Sequence, residues 1–234
     1  MSLNPSKSIL IVCTSIAELG NTGGKTGFWY EELAAPYNIF AAAGLRPVLA
    51  SPKGGLPPLD PGSNSPDFRT EDVVKFEADH EAMAALESTK MLSEITDLSD
   101  YAAIFLVGGH GTMWDFPANS QLGRLVALAV SAAKPIGAVC HGVAGLLSVD
   151  EAVRRDLLDG KKLTAFSNAE EAAVGLTDAV PFLLEDRLKE CGASYSSGDI
   201  FTPHVVTDGR LVTGQNPASS SDAAQALVDL VAGK

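Results

Sequence analysis

Continuous apolar runs alternate with amphipathic and polar stretches along the chain. Ser8–Cys13 (SILIVC) is apolar after its first residue and reads as a central parallel strand, because a strand covered on both faces needs no polar alternation. Thr14–Thr26 is polar and Gly-rich. It reads as a loop at the carboxyl end of that strand, where ligands sit in open α/β sheets. A helical pattern runs from Phe28 to Ala43 and is stopped by Gly44. It contains Pro36, which cannot bond the carbonyl of Glu32, so a kink is expected there, with Glu32 on the turn nearest the sheet's carboxyl edge. Pro47–Ser51 is a second strand, and Pro52–Asp67, rich in Pro, Gly and Ser, reads as a long loop. Such a loop is either functional or a plain surface insertion.

Glu77–Ile95 carries helix formers, with a weak break at Ser93-Glu94. Ala102–Val107 is a buried strand ending in Gly108-Gly109-His110-Gly111, and Asn119–Ala133 is an amphipathic helix. Ile136–Val139 suits a short buried strand, with a helix starting at Cys140. Lys161–Phe166 reads as a strand. Ser167 can cap a helical turn over Ala169–Ala173, with Glu170 at capping-box spacing. Phe182–Cys191 is a helix ended by Gly192, and Ser219–Ala232 is the last helix. Between them, Asp208-Gly209 separates two β-branched runs over Val205–Thr213, a hairpin signal. Strands alternating with helices predict an α/β three-layer sandwich: a mostly parallel central sheet with helices on both faces. Residues 1–234 carry no repeat and no linker, so one domain is expected, with insertions near 52–100 and 167–204.

The net charge of −12 argues against a nucleic-acid or anionic-membrane partner, both of which require basic patches. No apolar run reaches the roughly 20 residues of a membrane helix. Met1–Lys7 lacks a long apolar stretch, and Ser8–Cys13 is too short for the apolar core of a signal peptide. The three cysteines (Cys13, Cys140, Cys191) have no C-x-x-C spacing, so neither a disulfide framework nor a zinc ribbon is indicated, and a reducing cytoplasm fits. His80 and His204 have no His or Cys partners at metal spacing, so no metal site and no cofactor are expected.

The chemistry centres on Lys134–Gly145. Cys140 sits where strand gives way to helix, with Gly137 before it and Gly142 after it, the layout of a nucleophile elbow with Cys in place of Ser. The free N–H groups of the new helix favour thiolate over thiol, and the His141 backbone N–H is placed as an oxyanion donor. A buried, inert structural Cys fits the same local pattern. Cys13 reads as core packing, and Cys191 has no evident activator.

Ala138-Val139-Cys140-His141-Gly142 resembles the elbow of the ThiJ/PfpI superfamily, whose fold is class I glutamine-amidotransferase-like and flavodoxin-like. The resemblance extends over Gly24–Trp29 with Glu31-Glu32-Leu33, Gly108–Thr112 with Trp114-Asp115, Thr164–Ser167 with Glu170-Glu171, and Asp208–Pro217. These blocks are similar to the glutathione-independent glyoxalase III and heat-shock-chaperone branch. The resemblance implies a Cys–His–acid set of Cys140, His141 and an acid, with Glu171 favoured and Glu170 one residue off. It places Glu32, rather than Glu31, against the nucleophile, where a buried carboxyl would hold its proton because two negative charges in one site are costly. Gly109 would supply a second oxyanion N–H, and His110 either touches substrate or makes a structural hydrogen bond. Trp29, Trp114 and Phe116 either wall a pocket or pack in the core.

The activity so implied is conversion of methylglyoxal or a similar 2-oxoaldehyde to D-lactate or the matching 2-hydroxy acid through a Cys140 hemithioacetal, with deglycase or stress-protective activity at the same site and a homodimeric assembly. An amidase or peptidase using the same nucleophile, and a holdase chaperone, are the alternatives.

Overall fold

The computed structural model describes residues 7–234. Met1–Ser6, part of the stretch read for a leader, lie outside the described residues. The elements in chain order are β1 (Ser8–Val12), α1 (Tyr30–Ala42), β2 (Arg46–Ser51), α2 (Glu71–Ala78), α3 (His80–Glu87), β3 (Lys90–Met91) and β4 (Tyr101–Leu106). There follow α4 (Thr112–Asp115), α5 (Ser120–Ser131), β5 (Ile136–Val139), α6 (Glu151–Leu158), β6 (Lys162–Leu163) and α7 (Asn168–Ala173). The chain closes with α8 (Leu184–Glu190), β7 (Ser194–Tyr195), β8 (Val205–Asp208), β9 (Leu211–Gly214) and α9 (Ser220–Val231).

Seven strands form one sheet in the order β3-β2-β1-β4-β5-β9-β8. All neighbours are parallel except the β8–β9 hairpin. The pleat sends alternate residues of the central strands to opposite layers. Leu10, Val12, Ile104 and Leu106 pack with α5, α6 and α8. Ile9, Ile11, Phe105 and Val107 pack with α1, α2, α3 and α9. The three-layer α/β sandwich expected from the alternation of elements is therefore present. No helix among the described residues is long and apolar enough to cross a membrane.

Four local expectations need correction. The helix expected over Glu77–Ile95 is two helices and an edge strand. Thr70 caps α2 by accepting the Val73 N–H, and Asp79 caps α3 by accepting from Glu81 and Ala82, so a polar capping residue interrupts a run of good helix formers. Lys90–Met91 then pairs with Ala50–Ser51. The strand expected over Lys161–Phe166 is only Lys162–Leu163, and it pairs with β7 in a separate two-stranded sheet. The segment after Cys140 is a 3-10 helix over Cys140–Ser148 rather than an α-helix. Helix α6 was not foreseen: four of its eight residues are charged (Glu151, Arg154, Arg155 and Asp156), and it declares itself through Asp150, which accepts the Val153 N–H. The Pro52–Asp67 loop carries two short 3-10 turns, Pro61–Asn64 and Pro66–Phe68. It is pinned by Phe28 N–H to Pro58 O and by Thr26 Oγ1 to Asp60.

Candidate active site

Cys140 follows directly on β5 and has φ +56°, a left-handed conformation that costs an L-residue about 1–2 kcal/mol. The 3-10 segment behind it is clamped to the end of β4. A Cβ on Gly142 would meet Leu106 O at 2.5 Å, so only glycine allows this approach. Cys140 is buried, and the N–H groups of His141 and Gly109 point at its sulfur and favour the thiolate. Gly109 reaches this position with φ +101°.

Glu32 lies in the first turn of α1, four residues before Pro36 in a helix that continues past it. A Cβ on Gly108 would meet Glu32 Oε2 at 2.3 Å and Cys140 Cβ at 2.9 Å, so the carboxyl and the cysteine crowd the same glycine. The carboxyl has the Cys140 thiol and the Gly108 N–H as polar neighbours. Neither oxygen is held in a hydrogen bond of regular geometry. Burial pushes the Glu32 carboxyl well up, so it keeps its proton at neutral pH. Burial and the neighbouring Glu32 likewise push the Cys140 thiol up, and together they outweigh the two N–H donors. This corrects the expectation of a thiol depressed by a helix N-terminus: the cavity floor is too dry, and the pair carries at most one negative charge.

His141 is wholly buried. Its Nδ1 lies 3.4 Å from Cys140 Sγ and its Nε2 lies 2.7 Å from Glu171 Oε2. Glu171 Oε1 lies 2.9 Å from His110 Nε2. Burial and the neighbouring His110 lower His141 to about 4, so it is neutral near pH 7. Burial raises the Glu171 carboxyl, but hydrogen bonds from His110 and His141 overcome this and hold it down at about 2. The network therefore assigns the tautomer: an ionised Glu171 accepts Nε2–H from both imidazoles, leaving the Nδ1 lone pair of His141 facing the thiol.

Glu170, the rival acid, is fully committed elsewhere. It closes a capping box with Ser167 and accepts the Phe201 N–H at 2.9 Å and Asn216 Nδ2 at 2.8 Å. Glu31 lies on the cavity wall rather than against Cys140, accepting a hydrogen bond from Thr70 Oγ1.

His110, His141 and Glu171 offer ligand atoms within 4.8 Å of one another, a set that could hold a metal and that no sequence spacing reveals. Here these atoms satisfy each other as donors and acceptor. Cys140 opens onto a cavity of about 540 Å³ whose walls include Trp29, Phe68, Phe166, Val174 and Phe201. Of the three aromatics read as either wall or core, Trp29 is on the wall, whereas Phe116 is wholly buried in the core and Trp114 packs against the same core cluster. A smaller hollow lined by Lys134, Lys161 and Arg210 contains none of this chemistry.

Two features escaped sequence reasoning. One is the sharing of Glu171 by two histidines. The other is the wall formed by Phe68, Phe166, Val174 and Phe201, for which only Phe166, inside the Thr164–Ser167 block, gave any signal.

A strained cysteine at the end of β5, backed by His141 and flanked by Glu32, is the arrangement on which known proteins can be compared. The sequence model described as the DJ-1/PfpI family matches residues 25–230. The chain belongs to the DJ-1/PfpI family. Among curated members, "Glyoxalase 3" of Candida albicans is 32% identical over 232 residues, covering 94% of this chain and 96% of that protein. "Glutathione-independent glyoxalase HSP31" of Saccharomyces cerevisiae is 31% identical, covering 95% and 97%. Among solved structures, Candida albicans glyoxalase III superposes with TM-score 0.86 at 29% identity, covering 95% of this chain and 96% of that one. Rapid Encystment Protein 24 KDa of Francisella tularensis superposes with TM-score 0.90 at 39% identity, covering 96% and 99%.

Proposed function

We propose that this DJ-1/PfpI protein is a glutathione-independent glyoxalase that converts methylglyoxal or a related 2-oxoaldehyde to the 2-hydroxy acid. The observation that carries the reading is the proton-accepting Nδ1 of His141, 3.4 Å from a cysteine that also faces a protonated Glu32. The names of the relatives point to the same chemistry.

His141 takes the Cys140 proton, and the sulfur adds to the aldehyde carbon. The N–H groups of Gly109 and His141 steady the oxyanion, and its protonation gives the hemithioacetal. Removal of the hydrogen on that carbon and protonation of the neighbouring carbon, through an enediol, oxidise the first carbon and reduce the second by two electrons. No outside oxidant is required. Glu32 and His141 are the two groups able to carry these protons. Water then cleaves the resulting thioester, releasing the hydroxy acid and restoring the thiol. Glu171 holds His141 in the working tautomer. The same reading includes a homodimer in a reducing cytoplasm, where unpaired cysteines persist.

The test is purified protein with methylglyoxal and no added glutathione, following aldehyde loss together with D- and L-lactate, alongside peptide amides as competing substrates. Lactate formation that disappears in Cys140→Ala supports the reading. Amide cleavage without lactate formation overturns it.

A further inference from the structure

The cavity above Cys140 is far larger than methylglyoxal needs. Its volume of about 540 Å³ lies in the range of pockets that enclose drug-sized ligands, whereas methylglyoxal has only a methyl group beyond its two carbonyls. The excess space is bounded by apolar side chains. Phe166 packs at a tilt against His141 with ring centroids 4.5 Å apart, and the Phe201 ring centroid lies 6.4 Å from that of Phe166. Trp29 and Phe68 meet edge to face on the opposite side, 5.2 Å apart.

Three of the seven large apolar side chains exposed among the described residues lie on this one cavity: Phe68 (51%), Val174 (43%) and Phe201 (47%). Exposed apolar groups gathered at one mouth mark a binding surface rather than random scatter.

Phe201 is held there against a backbone preference. Its φ is +56°, and it is one of three non-glycine residues among those described with positive φ, Cys140 being another. Its N–H is fixed by Glu170 Oε1 at 2.9 Å. Glu170 stands next to Glu171 on the same short helix, so one element positions both the histidines and the apolar wall. Strain of this kind persists where the surroundings over-determine a functional position.

Charge narrows the choice further. Among the described residues no Lys or Arg lines the cavity, while Glu31 and Asp67 do; Glu32, also on its wall, is protonated and brings no charge. An anionic tail would find no cationic partner there, and the Asp67 carboxylate would oppose it.

Resting on the glyoxalase reading, we propose that the preferred substrates are 2-oxoaldehydes whose ketone carbon bears an uncharged aryl or branched-alkyl group, seated against Phe166, Val174 and Phe201, and that Phe201 sets this preference. Each buried methylene changes the partitioning roughly fourfold, so a phenyl group in place of a methyl carries at least about a tenfold preference in kcat/KM.

The test compares phenylglyoxal, methylglyoxal and 4-carboxyphenylglyoxal on wild type, Phe201→Ala and Val174→Thr, with rates expressed per unhydrated aldehyde. Phenylglyoxal should exceed methylglyoxal about tenfold, and the carboxylated analogue should lose about tenfold against phenylglyoxal. The phenyl-to-methyl ratio should fall at least about fivefold in Phe201→Ala and a few-fold in Val174→Thr. Intrinsic aldehyde reactivity cancels in the comparison of variant with wild type, so an unchanged ratio in Phe201→Ala overturns the proposal.

A second arm needs no turnover. Ligand-observed NMR on Cys140→Ala should show acetophenone binding and benzoate failing to bind, with acetophenone weakened when Phe201→Ala is added. If no aldehyde is converted while this pattern holds, the glyoxalase reading fails and the apolar site stands. If aldehydes are converted but acetophenone does not bind, the proposal fails and the glyoxalase reading stands.

Discussion

Glu171→Gln separates a carboxylate that sets a tautomer from one that merely fills space. Glutamine keeps the size of the side chain but offers one acceptor oxygen and one NH2 donor. In the wild type both carboxylate oxygens accept, one from His110 at 2.9 Å and the other from His141 at 2.7 Å. In the variant one imidazole must face the NH2 and shift its own proton to Nδ1. When that imidazole is His141, an N–H points at Cys140 Sγ and the base is lost. A tautomer reversal of this kind costs about 10⁴ in a Ser–His–Asp triad. With two amide orientations available and Glu32 as a second proton carrier, the expected loss in kcat/KM is about 10²–10³, or about 3–4 kcal/mol of transition-state stabilisation.

The carboxylate also contributes stability. It is held from its usual 4.5 down to about 2. A depressed acid stabilises the fold above its unfolded value, and that stabilisation is lost as pH falls through the folded value, here between about 4.5 and 2. The magnitude is about 3 kcal/mol. His141, lowered from 6.5 to about 4, acts earlier, because the unfolded chain takes up its proton first and stability falls between those values. Urea titrations at stepped pH should show Glu171→Gln less stable at pH 7, with the two proteins converging as pH falls from 5 towards 2. A kcat/KM within threefold of wild type, or urea midpoints that stay parallel below pH 5, would refute the argument.

Cys140→Ser should lower kcat/KM by at least about 10³ with an unchanged near-ultraviolet circular dichroism spectrum, since the covalent route has no substitute. Glu32→Leu should reduce turnover at least about 100-fold yet leave the urea midpoint equal or higher, because it removes a buried carboxyl with no regular hydrogen bond. The acid limb of kcat/KM should fall near pH 4, where His141 gains a proton on the nitrogen facing the sulfur; a limb at 6.5 would place the essential base elsewhere.

Much of the architecture was legible because burial on two faces writes itself into composition. Ile9–Val12 and Ala102–Val107 are apolar throughout and form the heart of the sheet. The Asp208-Gly209 turn placed the hairpin within a residue of its observed position. Legibility failed where a short polar signal competed with a long weak one. Asp79 ends one helix and caps the next, and a run of helix formers hides that junction. Lys161–Phe166 was apolar enough for a strand, but only two of its residues find a partner, and that partner lies outside the main sheet. The thiol failed for a different reason: its environment is set by Glu32, more than a hundred positions away in sequence, and by the dryness of a cavity floor, neither of which a local motif encodes.

The two adjacent acid pairs carry the same lesson more usefully. In Glu31-Glu32 and Glu170-Glu171 one carboxyl lies against Cys140 or His141 and the other is engaged by hydrogen bonds elsewhere. Neighbours on a helix point about 100° apart, so only one of each pair can face a given target. For Glu170-Glu171 the sequence carries a cue, although the family resemblance was needed to favour Glu171. Ser167 with Glu170 three residues later is a capping box, and a carboxyl that reaches back to the Ser167 N–H at 2.9 Å is unavailable to a histidine on another element. The observed cap leaves the neighbouring Glu171, the member of the pair that the family resemblance favours, to the imidazoles. Glu31-Glu32 offers no such cue, because the brace for Glu31 is Thr70, which arrives from the far side of a long loop. What distinguishes Glu32 is its place in the packing, with Gly108 and Cys140 crowding its carboxyl. Where a local capping motif engages one of two candidates, the sequence carries a cue to the pair; where tertiary packing does so, it carries none.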